Sequence, residues 1–225
     1  MGALTNDCVF VTWSDAASDR EDATYFLPSV LDLERKLVER GARPIGSVVD
    51  VVTRAWKPGI AEHFEYIDIG AVDTRTGSIT PSVLEVEEAP SRARQVVRQG
   101  DLIVSSVRPD RGAVARIPDS LDGAVASTGF FVLRPKKEWE HARDSLYLYL
   151  ISGTYRRQAA RRASSSMYPV LNADEFRAIL VPDAALLGLE HASSELAASD
   201  RAFREASLRY VGARDAMARL LEELL

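Results

Sequence analysis

Residues 90–134 read PSRARQVVRQGDLIVSSVRPDRGAVARIPDSLDGAVASTGFFVLR. Runs of Val, Ile, Leu and Phe alternate here with turn signals that contain Gly, Pro and Asp, a pattern typical of paired β-strands. The turns at residues 99–101 and 109–112 carry arginines into solvent. Such a basic surplus suits a surface that follows phosphates, and it equally suits a solvated charged face. Between residues 92 and 116 only Asp101 and Asp110 oppose six arginines, namely Arg92, Arg94, Arg98, Arg108, Arg111 and Arg116.

Outside this stretch the periodicity of the chain divides it into three regions. Residues 1–42 form an N-terminal strand and helix segment, with an apolar run at 8–13 and a helix predicted at 28–40 that begins at Pro28 and ends at Gly41. Residues 43–183 form a strand-rich domain. A helical interval is predicted at 144–163 with a division at Gly153, and Asn172 or Ala173 opens a short turn. Strands are predicted at 47–53, 66–69, 102–107, 113–117, 130–133 and 178–181.

Residues 184–225 carry a heptad repeat, which is the clearest periodic signal in the protein. Large residues recur every seven positions, and mostly small residues follow three positions later. This spacing predicts one long coiled-coil helix that packs closely against another long helix, with a helix folded back on its own domain as the alternative. The fold class is therefore α+β with a dimerisation or spacer helix at the end. The seam residues are Leu189, Leu196, Phe203, Tyr210, Met217 and Leu224.

Composition limits the function. The 225 residues carry a formal net charge of −5, and the acidic excess lies in residues 1–42 and 184–225. Cys8 is the only cysteine, so an internal disulfide and a thiolate cluster are excluded, and no apolar run reaches membrane-spanning length. We expect a cytoplasmic protein without metal or cofactor. Glycine-rich nucleotide loops, histidine pairs at metal spacing and the serine-hydrolase motif are absent from the sequence. A third hypothesis, a small serine hydrolase, is disfavoured because the sequence offers no credible general base for a serine nucleophile.

Several segments together resemble the specificity subunits of type I restriction-modification systems. They are RxDAxYFxP at 20–28, PIGSVVDVV at 44–52, YIDIGAVDTRTGSI at 66–79, PSRARQVVRQGDLIVSSVRP at 90–109, STGFFVLR at 127–134 and YPVLNADEFRAILVP at 168–182. The family layout has two target-recognition domains with long helices, whereas this chain has one domain and one helix. The resemblance thus implies a half-subunit that pairs with a second copy or with another half-subunit.

The resemblance implies sequence-specific recognition of double-stranded DNA without catalysis. A methyltransferase subunit would be the partner, and whether a restriction translocase takes part stays open. Phe130 and Phe131 are expected in the core. The expected phosphate contacts are Arg92, Arg94, Arg108, Arg111, Arg156, Arg157, Arg161 and Arg162. The candidates for base reading are Arg75, Gln95, Arg111, Ser164, Ser165, Ser166 and Tyr168, each with a structural role as the alternative; for Tyr168 this is a core aromatic against Pro169.

A different class of function is also compatible with the sequence. The strand-rich domain could bind another polypeptide while the long helix oligomerises the chain, which would make the protein a non-catalytic protein-protein adapter. The acidic total charge and the acidic ends favour this hypothesis. The arginine clusters in two separate regions of the sequence favour DNA.

Overall fold

The computed structural model interleaves helices and strands over the described residues, which are 25, 27–59, 61–164 and 167–183. The helices are α1 (Pro28–Glu39), α2 (Arg143–Ile151), α3 (Gly153–Arg162) and α4 (Ala173–Arg177). The strands are β1 (Arg43–Pro44), β2 (Val49–Val51), β3 (His63–Ile67), β4 (Ser82–Glu85), β5 (Ala93–Val96), β6 (Leu102–Ser105), β7 (Val114–Arg116), β8 (Val125–Ser127), β9 (Phe130–Pro135) and β10 (Leu180–Val181). The mixture confirms the α+β class.

Beyond residue 183 the structure describes single positions of the tail, and all of them are helical and exposed. Of the predicted seam, Tyr210 and Met217 belong to this set, whereas Leu189, Leu196, Phe203 and Leu224 lie outside the described residues. None of the described helices is both long and apolar enough to cross a membrane. The described tail positions are Glu195, Ala198, Ser199, Ala202, Glu205, Ala206, Arg209, Tyr210, Gly212, Ala213, Ala216 and Met217.

Two four-stranded sheets form the centre of the domain. The first has the order β2-β9-β6-β7 and is antiparallel throughout. The second has the order β4-β3-β8-β5, in which only the β3-β8 pair is parallel. A short ladder of β1 with β10 brings residues 43 and 181 together, so the two ends of the domain leave it side by side.

Strand β6 lies between two hydrophobic layers. Leu102 and Val104 face the cluster that contains the helices, whereas Ile103 faces the cluster between the two sheets. The alternation follows from the two-residue period of a strand, and burial on both faces explains why β6 is a continuous apolar run. Phe130 packs between the sheets and Phe131 packs against the helical side, as expected from the sequence.

The helices α1, α2 and α3 begin and end within one residue of the positions predicted from the sequence. Helix α1 buries Val30 and Leu37, and the chain leaves it through Gly41 at φ +76°. The predicted helical interval is divided between α2 and α3, where the Ser152 hydroxyl accepts a hydrogen bond from the backbone of Tyr155. In the same way the Asn172 side chain caps α4. Local capping chemistry therefore determines these boundaries.

The strand predictions are less accurate than the helix predictions. Predicted strands at 47–53 and 178–181 shorten to Val49–Val51 and Leu180–Val181, and the one at 66–69 shifts to His63–Ile67. The shift occurs because Asp68 caps a tight turn over residues 69–71 by accepting from the backbone of Ala71. Strands β4, β5 and β8 were not predicted. The apolar run at 8–13 lies outside the described residues.

A buried carboxylate joins the two sheets. Asp101, at the start of β6, has no exposed surface. One of its oxygens accepts from Arg134 of β9 at 2.7 and 3.0 Å, and the other accepts from Arg54 at 2.6 Å and from the backbone N–H of Arg98 at 2.9 Å. Arg54 also donates to the carbonyl of Val96 in the second sheet at 3.4 Å. Because every lone pair direction finds a donor, the charge is tolerated in the core.

Two buried tyrosines in the helical layer differ in the hydrogen bonds that their hydroxyls make. The Tyr149 hydroxyl donates to the carbonyl of Leu180 at 2.5 Å and accepts from Gln158 at 3.0 Å. The Tyr155 hydroxyl has no hydrogen-bond partner among the described residues. The two rings are both buried, and they contact each other edge to face with their centroids 6.1 Å apart. Burial raises the pKa of both phenols, which keeps them neutral.

This difference predicts opposite effects of the same substitution. Tyr155→Phe should raise the free energy of unfolding by about 1 kcal/mol, because it removes a buried hydroxyl that makes no bond. Tyr149→Phe should lower it by about 1 kcal/mol, because it removes a hydroxyl that makes two. Urea denaturation of both variants measures the difference. Equal losses of stability would contradict the assignment of partners.

Candidate nucleic-acid interface

The connections at one end of both sheets lie next to each other. The backbone N–H of Ser106 donates to the carbonyl of Gly129 at 2.8 Å, and that of Thr128 donates to the carbonyl of Arg92 at 2.9 Å. A third bond runs from the N–H of Arg108 to the carbonyl of Pro169 at 2.8 Å. These bonds join segments from both sheets into one surface. We name it the loop face, and it comprises residues 68–81, 90–92, 106–113, 128–129 and 167–170.

Three buried serines hold these connections in place. The Ser105 hydroxyl donates to the carbonyl of Val107 at 2.7 Å, and the Ser106 hydroxyl donates to the carbonyl of Gly129 at 2.9 Å. The Ser127 hydroxyl accepts from the N–H of Gly129 at 3.1 Å. Short hydroxyl side chains can satisfy turn backbone inside a domain, where water cannot reach. The loop face therefore has a defined backbone rather than a loose one.

The turn after β6 has an unusual backbone conformation. Arg108 has φ +48°, which makes it the only non-glycine residue in the left-handed region among the described residues. Pro109 follows it, and Gly112 at φ +71° ends the turn. A side-chain-bearing residue in this region costs on the order of 1 kcal/mol, and it persists only where its surroundings hold it. Here the bonds to Pro169 and the serines supply that restraint.

Helix α3 delivers a second arginine to the same turn. The Arg156 guanidinium lies over Gly112, so close that a Cβ at position 112 would be 2.9 Å from Nε and 3.2 Å from Cζ. Arg156 also donates to the carbonyl of Ile151 at 2.8 Å, while its buried Nε has no acceptor among the described residues. The absence of a side chain at Gly112 is thus what allows the two segments to pack.

Tyr168 is exposed rather than part of the core. Its relative exposure is 62%, and the guanidinium carbon of Arg108 lies 4.8 Å above its ring centroid. The structural alternative of a core aromatic against Pro169 is therefore wrong. Its neighbours Met167 and Val170 are also exposed, at 82% and 45%. This apolar patch was not predicted, because its only signal in the sequence is that apolar residues follow a serine-rich run.

Six of the eight arginines expected to contact phosphate have no acidic partner among the described residues. Arg94 donates to the carbonyl of Ser91 at 2.9 Å, and Arg157 donates to the carbonyl of Gly153 at 3.3 Å, so both are restrained without losing their charge. Most other described arginines pair with a carboxylate. The six are Arg92, Arg94, Arg108, Arg111, Arg156 and Arg157.

Arg161 and Arg162 have a structural role instead. Their side chains are only 6% and 11% exposed, and both bind Glu34 of α1, at 2.8 and 3.1 Å. Arg162 also binds Glu175 at 3.1 Å, and Arg161 covers the ring of Tyr25. The sequence showed no acidic residue near them, because Glu34 is more than 120 positions away and approaches only when α1 packs on α3. We remove both from the phosphate-contacting set.

The candidates for base reading are dispersed. Arg75 is at the tip of a loop-face turn with a side chain 86% exposed, and it pairs with Asp73, whose pKa is lowered by the backbone N–H of Arg75 and then by its guanidinium. Gln95 is not available for reading, because its amide donates to the carbonyls of Ser127 and Phe130 at 3.1 and 3.0 Å. Ser164 accepts from the backbone of Val170. Ser165 and Ser166 lie outside the described residues.

The described residues contain no group of three or more His, Cys, Asp or Glu side chains that could hold a metal ion. What the loop face offers is cationic guanidinium groups and an exposed aromatic ring on a rigid backbone. Guanidinium groups and exposed aromatic rings are the groups with which many proteins bind nucleic acids.

Comparison with known proteins finds similarity to the specificity subunits of type I restriction-modification systems. The chain matches no known family model. The specificity subunit of the type I restriction enzyme HindI from Haemophilus influenzae is 31% identical over 70 residues, which are 31% of this chain and 15% of that protein. Among solved structures, the crystal structure of the HsdS subunit from Thermoanaerobacter tengcongensis has a TM-score of 0.59 at 27% identity, over 77% of this chain and 45% of that one.

Two further structures agree. A chain from a structure of the assembly and conformational transition of a type I restriction-modification system has a TM-score of 0.59 at 29% identity, over 77% of this chain and 44% of that one. The S subunit from M. genitalium shares the fold at a TM-score of 0.51 and 16% identity. The resemblance seen in the sequence is confirmed: this chain is similar in sequence and fold to type I restriction-modification specificity subunits. It spans less than half the length of the relatives it matches.

The contact between Arg156 and residue 112 gives a test of the loop face. Gly112→Ala should lower the free energy of unfolding by about 1–2 kcal/mol, because it places a Cβ at positive φ and against the guanidinium. Gly59→Ala is the matched control, since a Cβ there meets no atom within 4 Å and the change should stay within about 0.5 kcal/mol. Urea denaturation compares them. Similar effects at both positions would contradict the packing described.

Proposed function

We propose that this chain recognises a specific sequence in double-stranded DNA as a half specificity subunit of a type I-like restriction-modification complex. The chain itself is not an enzyme in this proposal. It positions a methyltransferase subunit in the cytoplasm, with or without a restriction translocase. The similarity to specificity subunits supports the class, and the arrangement of the arginines supports the use of the loop face.

The observation that carries the proposal is the division of the arginines. Elsewhere in the described part of the domain most arginines pair with carboxylates, as Arg54 and Arg134 do with Asp101. At the loop face, in the adjacent strand β5 and on the first turns of α3 they have no acidic partner among the described residues, with the exception of Arg75, which pairs with Asp73. Unpaired guanidinium groups next to one another give a local positive potential in a chain of net charge −5. A polyanion is the partner that this distribution favours.

We assign phosphate contact to five of the unpaired arginines. They project from three segments, namely the start of β5, the turn after β6 and helix α3. They can therefore contact a phosphate backbone over several nucleotides instead of binding one small anion. Arg75, at the tip of its turn, remains the candidate for base reading that is most exposed. The five are Arg92, Arg94, Arg111, Arg156 and Arg157.

The salt dependence of DNA binding tests this assignment. Arg92→Gln and Arg157→Gln should each reduce the slope of log affinity against log salt by about 0.9, because each neutralisation releases one counterion fewer. Arg35→Gln is the matched control, because Arg35 is exposed on α1 but pairs with Asp32. Binding of a random-sequence duplex is measured from low to moderate salt, with and without a methyltransferase subunit. Unchanged slopes in both variants would refute the phosphate assignment and favour the adapter function.

We further propose that the heptad seam pairs residues 184–225 with a second copy or with another half-subunit. Tyr210 and Met217 are helical and 71% and 59% exposed, so they are free to pack against a partner helix. A two-fold pair would place two copies of residues 43–183 at a fixed separation. Two such domains read inverted identical half-sites, because each meets the DNA through the same surface.

A charge in the seam tests the pairing. Tyr210→Asp should convert the dimer to a monomer at micromolar concentration, because two carboxylates would be buried between the helices. Ala198→Asp introduces the same group on the same helix, outside the seam, and should leave the dimer intact. Sedimentation equilibrium of the full chain measures both. A Tyr210→Asp variant that sediments as the wild type does would show that the seam is not the interface.

A further inference from the structure

Arg108 differs from the other unpaired arginines in the conformation of its backbone and in the aromatic ring that lies against its guanidinium. Its backbone has φ +48°, its N–H donates to the carbonyl of Pro169, and an antiparallel bridge joins the adjacent Val107 to Val170. Arg92 and Arg111 also lie on turns with bonded backbones, but neither has a positive φ and both are exposed. A phosphate contact does not require this precision, because a phosphate accepts a cation from many directions.

The side chain of Arg108, like its backbone, is held in one orientation. Its guanidinium lies 4.8 Å above the ring of Tyr168, and one Nη is 3.5 Å from the carbonyl of Met167. Stacking fixes the plane of the guanidinium and covers one of its faces. Its donor edge remains without an acidic partner among the described residues. The entropy of ordering a long side chain is therefore lost in folding and not in binding.

A fixed planar fork of donors matches one feature of duplex DNA closely. Guanine presents its O6 and N7 acceptors side by side in the major groove, and a guanidinium edge binds both at once. Met167 and Val170, in the same loop as Tyr168, have exposed apolar side chains, and such groups suit base edges and thymine methyls better than charged phosphates.

The geometry points to Arg108 as a specificity-determining residue that reads a guanine, with Tyr168 as its positioning residue. The inference rests on the proposed function, since it requires that the loop face meets DNA. It changes the role given to Arg108 by charge alone, from phosphate contact to base reading. Tyr168 acts through Arg108 by holding the plane of its guanidinium.

Selection of binding sites by the full chain tests the inference. A pool of duplexes with a randomised centre is bound to the wild type, to Arg108→Lys and to Arg92→Lys, and the bound fraction is sequenced. Arg108→Lys keeps the charge but loses the planar fork, so the preference for G·C should fall about tenfold or more at one position of each half-site. The salt slope and the other positions should not change. Arg92→Lys should keep the whole preference.

Two variants of Tyr168 separate positioning from folding. Tyr168→Phe keeps an aromatic face and should keep the G·C preference, whereas Tyr168→Leu should lose most of it at the same position as Arg108→Lys. Urea denaturation should show that the stability of both changes little, because the ring is exposed. Loss at a different position, or retention in Tyr168→Leu, would contradict the role of the ring.

Two other outcomes would overturn the inference. If Arg108→Lys retains the full preference, and Arg108→Gln lowers the salt slope by about 0.9, Arg108 contacts phosphate and reads no base. If the wild type selects no sequence and binds no duplex, with or without a methyltransferase subunit, the proposed function fails together with this inference. The first outcome leaves the proposed function standing, so the two failures are distinguishable.

Discussion

The buried carboxylate of Asp101 is the interaction on which the rest of the domain depends. A charge with no exposed surface is tolerated only when it is fully bonded, and here donors from three segments converge on it. Arg134 links it to the neighbouring strand, and Arg54 links it to the second sheet. The start of β6 is therefore fixed against both sheets. Because β6 is short, fixing its start also fixes the turn at its other end, where Arg108 emerges.

The same principle divides the arginines of this protein into two groups. Where a carboxylate lies in reach inside the fold, as Glu34 does for Arg161 and Arg162, the pair joins two elements and is removed from solvent. Where the sequence provides only backbone carbonyls, as it does for Arg94, Arg156 and Arg157, the guanidinium is oriented but keeps its charge available. The distribution of acids, rather than that of arginines, thus determines which described guanidinium groups keep an unpaired charge.

This explains which features could be predicted from the sequence. Helix boundaries depend on capping groups a few residues away, so α1 and the division between α2 and α3 were predicted correctly. Strands β6, β7 and β9 were found because they are buried and apolar, whereas β4 is mostly exposed and has only two apolar residues, Val83 and Leu84. The roles of Arg161 and Gln95 depend on partners brought near only by folding, and no local pattern signals them. The exposure of Tyr168 depends in the same way on where its loop is anchored.

The rigidity of the loop face matters for how such a protein discriminates. A flexible arginine gains affinity for any duplex, because every phosphate offers the same charge. Discrimination between bases requires that the wrong base leaves a donor unpaired, and this penalty exists only if the donor cannot turn away to water or to a phosphate. The buried serines, the bond from Arg108 to Pro169 and the ring of Tyr168 prevent such a rearrangement. The strained backbone at Arg108 is then the structural cost of keeping one donor fork in a single orientation.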